Sequence, residues 1–371
     1  MSIRRNPQAR RGPQPTLKYG DVFGDYVING FAGTGATSYV YRARRADSFE
    51  PVAIKVMHPH LLGDAVKRRR FVREAEVMMR LRHPNVVRFE EILEIDGHLA
   101  FVMEYIEGET LTQWRDAHAG ELDEQTLACV FVDLLRGLSL AHRAGIVHRD
   151  LKPANVLISW QEGRYVAKII DFGVARLVDE ALADDEKRSI VGTAAYISPE
   201  EVVDPEAVCP ASDLYSLGVM MYEAACGQRP FTGRPVGELL TAHVSEAPQR
   251  PRALNPGLSP GFESVILRTL EKDPEGRFAS APEMIRALEI ALSSAMEMSS
   301  EEWERAALSD QVTTEWHRAV ERERERRANP LVSFMRRCLS GAMLVFSTGA
   351  TGRRNDPHYL ARGHDQHLPF G

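Results

Sequence analysis

The chain has 371 residues, 44% hydrophobic and 26% charged, with a net charge of −6 and a pI near 6.1. This is the composition of an ordinary soluble globular protein, and its acidic balance argues against a dedicated nucleic-acid binder, whose domains are usually strongly basic. The four cysteines (Cys129, Cys209, Cys226, Cys338) form no C-x-x-C pair, no secretory leader follows the N-terminal arginines, and the longest apolar stretch, Cys338 to Ala350, is too short and broken to span a bilayer; reduced thiols and a cytoplasmic location are expected.

Residues 1–24 form a basic arm with Arg4, Arg5, Arg10, Arg11 and Lys18, read as a disordered tail. Order is expected from about Tyr26. Strand-like runs from Tyr26 to Phe31 and from Tyr39 to Ala43 flank the turn Gly33-Thr34-Gly35-Ala36-Thr37-Ser38, and Val52 to Met57 reads as the next strand. Apolar residues at helical spacing mark a helix from Ala65 to Leu81, opening on the basic run Lys67-Arg68-Arg69-Arg70. That run sits against the helix dipole, which favours anions at an N-terminus. Leu99 to Glu104 reads as a strand, and Asp123 as the N-cap of a long helix carrying Leu127, Val130, Phe131, Leu134, Leu135 and Leu138 and ending by Gly145.

The most informative stretch follows that helix. His148-Arg149-Asp150-Leu151-Lys152-Pro153-Ala154-Asn155 precedes the strand-like Val156-Leu157-Ile158. Lys168-Ile169-Ile170 then leads into Asp171-Phe172-Gly173. Two carboxylates, a lysine and an asparagine thus lie on neighbouring loops. Phosphoryl transfer asks for such a set: a carboxylate to take the proton of an attacking hydroxyl, hard oxygens for Mg²⁺, and a cation against the charge of the transferring group.

These motifs resemble the catalytic and metal-binding loops of Hanks-type protein kinases, and other motifs extend the likeness over roughly residues 26–290. The resemblance implies an α+β, bilobal fold, with a small five-stranded sheet and one helix over a mainly helical large lobe and ATP in the cleft. It implies Asp150 as the base and Lys152 beside the γ-phosphate, with Asn155 and Asp171 holding Mg²⁺. The turn from Ala32 through Gly33, Thr34, Gly35, Ala36, Thr37 and Ser38 to Tyr39 and Val40 would cover the phosphates, although Ser38 stands where the family has a third glycine. Lys55 in Val52-Ala53-Ile54-Lys55 would reach the α- and β-phosphates and pair with Glu74; Ala53 and Val40 would roof the adenine. Met103 is then the gatekeeper, and the backbone from Glu104 to Ile106 the adenine-binding hinge. The order Asp-Leu-Lys-Pro-Ala-Asn is that of serine/threonine kinases, and Tyr215, where animal kinases usually carry Trp, tilts the likeness toward bacterial members.

Ser198-Pro199-Glu200 resembles the motif closing the activation segment, Asp213 the residue that holds the catalytic-loop backbone, and Arg277 the partner of Glu200. Within the segment, Ser189 is a candidate phosphorylation site opposite Arg149, and the acidic run Asp184-Asp185-Glu186 is read either as a solvated loop or as a partial stand-in for the phosphate, pairing with Arg149 or the Lys67–Arg70 run. The kinase domain is expected over 25–293. Residues 294–371 form a charged and amphipathic tail, partly disordered, with the Leu331 to Phe346 stretch able to touch a membrane surface or dock on the kinase. Protein substrates are implied and no nucleic acid. Two rival readings are a pseudokinase scaffold, which would lack one of Lys55, Asp150, Asn155 or Asp171, and a small-molecule phosphotransferase of related fold, which would lack the Ser198-Pro199-Glu200 segment.

Overall fold

In this computed structural model the described residues are 16–172 and 194–297, with side chains described as far as 293. The small lobe holds strands β1 (Val22–Phe23), β2 (Tyr26–Thr34), β3 (Ser38–Arg45), β4 (Pro51–Met57), β5 (Phe89–Ile95) and β6 (His98–Glu104), in the order β1-β2-β3-β4-β6-β5, antiparallel at every pair. Helix α1 (Ala65–Met78) packs on one face. The expected five strands are six, because Val22 and Phe23 pair with Val27 and Tyr26. The expected disordered arm therefore ends too late: Thr16 and Leu17 already donate their amides to the Tyr41 hydroxyl. Two residues of strand carry no readable alternation.

Both faces of the sheet are apolar, and period-2 alternation sorts them. Val40, Ala53, Met57, Phe101 and Met103 join the core with α1, whereas Tyr39, Tyr41, Ala43, Val52, Ile54, Val56, Ala100 and Val102 form a second cluster with Phe23, Tyr26 and Ile28. That second face is closed by the sheet curling on itself. Tyr26 hydrogen-bonds Glu91 and Arg45 pairs with Glu90, which brings β2 and β3 against β5 although β4 and β6 lie between them in the order. Gly24, in the β1–β2 turn, sits at φ +60°, and a Cβ there would lie 2.8 Å from Ile95 Cδ1, so any larger residue would be strained and would have to displace the Ile95 tip.

Helix α1 is capped by Asp64, whose side chain accepts from the amides of Val66 and Lys67. This carboxylate supplies the anion that the basic run lacks. The helix stops at Met78, short of the expected Leu81, which is buried in the turn that follows.

The large lobe follows through β7 (Glu109–Thr110), α2 (Leu111–Ala117), α3 (Glu124–Arg143), β8 (Val156–Gln161) and β9 (Arg164–Ile169), and the last two strands form a sheet with β7. Asp123 caps α3 by accepting from the Thr126 amide, and its six expected core residues are all buried. Beyond residue 194 come α4 (Pro199–Val203), α5 (Pro210–Cys226), α6 (Val236–Ser245), α7 (Pro251–Leu254), α8 (Pro260–Thr269) and α9 (Ala281–Glu297). Helix α5 is buried on nearly every side, as an all-round apolar helix must be. Helix α9 runs past residue 293, so the expected domain boundary falls inside it. One apolar cluster continues from the α1 face of the sheet through α3 and α5 to α9, so the cleft rests on a shared core.

Candidate active site

The loop between α3 and β8 is shaped by one carboxylate. Asp213, on the first turn of α5 and buried, accepts from the His148 amide at 2.8 Å and the Arg149 amide at 3.0 Å. Arg149 sits at φ +65°, a left-handed conformation that costs a non-glycine residue on the order of 1 kcal/mol and persists only where surroundings over-determine it. The two amide bonds to Asp213 do so here. His142, near the end of α3, bonds the same carboxylate through Nε2 at 2.7 Å. Sequence reasoning missed His142, since nothing in its local pattern marks it.

The loop then presents its polar residues together. Asp150 Oδ2 accepts from Lys152 Nζ at 2.6 Å and from Asn155 Nδ2 at 3.1 Å, while Asn155 Nδ2 also donates to the Asp150 carbonyl at 2.9 Å. With its nitrogen used in this way, the Asn155 amide turns its oxygen to the other side. His148 is fully buried, accepts the Asp150 amide at Nδ1 (3.2 Å) and lies 4.4 Å from the Phe172 ring. Burial pushes its pKa down, so it stays neutral and acts as a packing residue.

The opposite wall comes from the small lobe. Lys55 on β4 is placed by register opposite Phe101, and its Nζ lies 2.6 Å from Glu74 Oε1 on α1 and 2.9 Å from Asp171 Oδ2. Burial alone would lower the Lys55 pKa, but Asp171 and Glu74 outweigh it and raise it. Burial and the nearby Asp171 charge push Glu74 well above its ordinary value. Asp171 feels the same burial, yet the Lys55 charge holds its carboxyl below the usual range. Asp171 is thereby kept ionised, as a cation ligand must be. Its carboxylate and the Asn155 amide oxygen make a hard donor set that fits a divalent metal carrying nucleotide phosphates.

The Gly-rich turn closes on a bond from the Gly35 amide to the Ser38 carbonyl at 2.8 Å. Ser38 is buried and is not among the residues with positive φ, so this turn needs no third glycine. Tyr39 was expected among the cofactor residues through its place in the Gly-rich turn. Its ring points to the second cluster, 4.3 Å from the His58 ring, because alternation sends Val40 and not Tyr39 toward the cleft. Ala32, Thr34, Ala36 and Thr37 are exposed along the turn.

Met103 pairs with Ala53 across β4 and β6, both on the core face of the cleft. The Glu104 amide is taken by the Arg88 carbonyl at 2.9 Å, and its carboxylate by Lys168 at 2.8 and 2.9 Å. The amide and the side chain of Glu104 are therefore both engaged within the protein. Further along, Arg277 grips Glu200 as expected. Gly173, Asp184, Asp185, Glu186, Ser189 and Thr193 lie outside the described residues, as do 294–371 for side chains.

The protein kinase domain family matches residues 26–288. A probable serine/threonine-protein kinase of Streptomyces coelicolor is 35% identical over 274 residues, covering 72% of this chain and 40% of that protein. PknB of Mycobacterium tuberculosis is 37% identical over 266 residues, 70% of this chain and 41% of PknB. The chain thus spans about two fifths of the length of these curated relatives. Among solved structures, the Mycobacterium tuberculosis PknI kinase domain superposes with a TM-score of 0.57 at 27% identity, over 74% of this chain and 99% of that one. With the geometry above, these matches mean that the chain belongs to the protein kinase family, grouped with the Hanks-type serine/threonine kinases of bacteria.

Proposed function

We propose that this chain is a serine/threonine protein kinase that uses Mg²⁺-ATP to phosphorylate protein hydroxyls, its own included, in cytoplasmic signal transduction. One observation carries the reading: Asp150, Lys152 and Asn155 converge on one loop while Lys55, Glu74 and Asp171 meet within ion-pair distance across the cleft. A scaffold without catalysis would have no use for both halves.

In this reading an acceptor Ser or Thr oxygen forms a bond to the γ-phosphorus as the bond from that phosphorus to the bridging oxygen breaks, leaving ADP with the electron pair. Asp150 orients the hydroxyl and receives its proton as the transition state develops. Lys152, held 2.6 Å from that carboxylate, offsets charge on the transferring group. Asn155 and Asp171 would hold Mg²⁺, which neutralises phosphate oxygens when bound. Lys55, steadied by Glu74, orients the α- and β-phosphates, and Gly33 and Gly35 let the backbone approach them. Three described cysteines, Cys129, Cys209 and Cys226, are unpaired, which supports the cytoplasmic assignment. Among the described residues no helix is long and apolar enough to cross a membrane.

The test is direct. The full chain is incubated with Mg²⁺-ATP and a basic acceptor protein, and phosphosites are mapped by mass spectrometry beside an Asp150→Asn control. Phosphoserine and phosphothreonine that vanish in the control are expected. Nucleotide binding without any transfer would overturn the reading in favour of a scaffold.

A further inference from the structure

Arg42 on β3 is exposed and stands on the cleft side of the small-lobe sheet. Alternation puts it on the face of Val40, because Tyr39, Tyr41 and Ala43 all turn to the second cluster. Register then fixes its depth. Val40 lies opposite Lys55, whereas Arg42 lies opposite Ala53, which in turn faces Met103 just before the hinge. There the Arg42 guanidinium rests over the Tyr105 ring, 4.8 Å from its centroid. A flat guanidinium is drawn to the negative face of an aromatic ring and stacks on it.

The two ends of this contact are anchored in different lobes. Arg42 belongs to the small-lobe sheet, while Tyr105 belongs to a hinge tied to the large lobe. Just before Tyr105, the Glu104 carboxylate accepts two hydrogen bonds from Lys168 of β9. Just after it, Gly108 lies against the Ile158 carbonyl, and Glu109 pairs with Ile158 on β8. The Tyr105 ring itself packs on the main core. Any motion that parts β3 from the hinge must therefore pull the guanidinium off the ring. Arg44 makes a similar contact, 4.8 Å from the Phe49 centroid, but both of those residues lie on the β3–β4 hairpin. That second pair moves as one body and crosses nothing.

We propose that Arg42 and Tyr105 form a latch across the mouth of the nucleotide cleft, setting how fast nucleotide enters and leaves. This rests on the kinase reading, in which the cleft takes ATP. A latch must open for entry and for exit alike, so its loss raises both rates and leaves their ratio unchanged. A direct contact with the nucleotide would instead weaken Kd through dissociation. Electrostatic steering has the opposite sign on arrival, since removing a cation slows an anionic ligand.

The experiment uses the full chain, Mg²⁺ and a fluorescent ADP analogue in stopped flow. In Arg42→Met, association and dissociation should each quicken about two- to fivefold, the worth of one exposed cation–π contact, with Kd unchanged. Adding Tyr105→Leu to Arg42→Met should quicken neither rate further, because the contact is already gone. Arg44→Met removes the same charge from the same strand and should alter neither rate. Unchanged rates in Arg42→Met, slower association with a weakened Kd, or Arg44→Met matching Arg42→Met would each overturn the latch. If the unaltered protein binds no nucleotide, the kinase reading fails, and amide hydrogen exchange over 104–108 decides the latch. Quicker exchange there in Arg42→Met than in Arg44→Met then supports it, and equal exchange overturns it.

Discussion

Arg277 and Glu200, 77 residues apart, face each other through two hydrogen bonds of 2.8 Å, one from each terminal nitrogen of the guanidinium. Arg277 also donates to the carbonyls of Ala211, Glu271 and Lys272. The start of α4 is thereby tied to the start of α5 and to the turn after α8, and both partners are almost wholly buried.

Removing one partner leaves a buried charge uncompensated, so Arg277→Met or Glu200→Gln should cost about 3–5 kcal/mol in urea unfolding. Burial would raise the Glu200 pKa, but the hydrogen bonds and charge of Arg277, with Ser212, hold it below the ordinary glutamate value. A depressed folded pKa means stability that is present above the unfolded value and is lost as pH falls through the folded one. The gap between the unaltered protein and Glu200→Gln should therefore narrow on acidification below the ordinary glutamate range. A gap that is the same at neutral and acid pH would contradict this.

Lys55→Met removes the partner of both Glu74 and Asp171, and phosphotransfer should fall to background, at least about a thousandfold. Glu74→Gln keeps the shape and leaves Lys55 paired with Asp171, so a low residual rate is expected. Initial rates at saturating ATP would check both; full activity in Lys55→Met would sink the site assignment as a whole.

Gly108 follows the hinge where the chain passes close over β8. A Cβ there would come within 2.3 Å of the Ile158 carbonyl oxygen, a backbone atom that cannot swing aside. Gly108→Ala should thus cost about 1–3 kcal/mol and shift the hinge. Thermal unfolding with and without an ATP analogue should show a lower midpoint and a smaller stabilisation by nucleotide. An unchanged midpoint would mean that β7 and β8 are free to part.

Helix α9 continues to Glu297, with Met284, Leu288 and Ala291 in the main core. A chain ending after residue 297 should fold and phosphorylate a basic protein at a rate within a few-fold of the full chain, whereas one ending before Met284 should lose about 3 kcal/mol or more. Liposome flotation of the full chain beside the shorter one would test surface contact by Leu331 to Phe346. Equal behaviour of the two counts against such contact.

Most of the site was legible because its chemistry is written in short spacings. Gly33 and Gly35 precede a strand, Lys55 interrupts an apolar strand run, and Asp150, Lys152 and Asn155 lie within six residues on one loop, although it is the distant Asp213 that holds that loop's backbone. The α3 boundaries were legible for the same reason, since Asp123 caps within one turn and the apolar spacing is helical. Strand β1 was not, because two residues show no period. The direction of the Tyr39 ring was not legible either, because the Gly-rich motif covers Tyr39 by sequence while the pleat turns its ring to the second cluster.

By itself the sequence determined the family, the two-lobed α+β plan and the candidate site residues, since each rests on residue type at a local interval. The tertiary structure alone decided which distant groups satisfy one another. It closed the small-lobe sheet through Tyr26 with Glu91 and Arg45 with Glu90, gave Asp213 a third partner in His142, and put His243 on the Tyr215 hydroxyl. A buried polar group must find a partner, but which one it finds depends on how separate elements pack, and no local pattern records that.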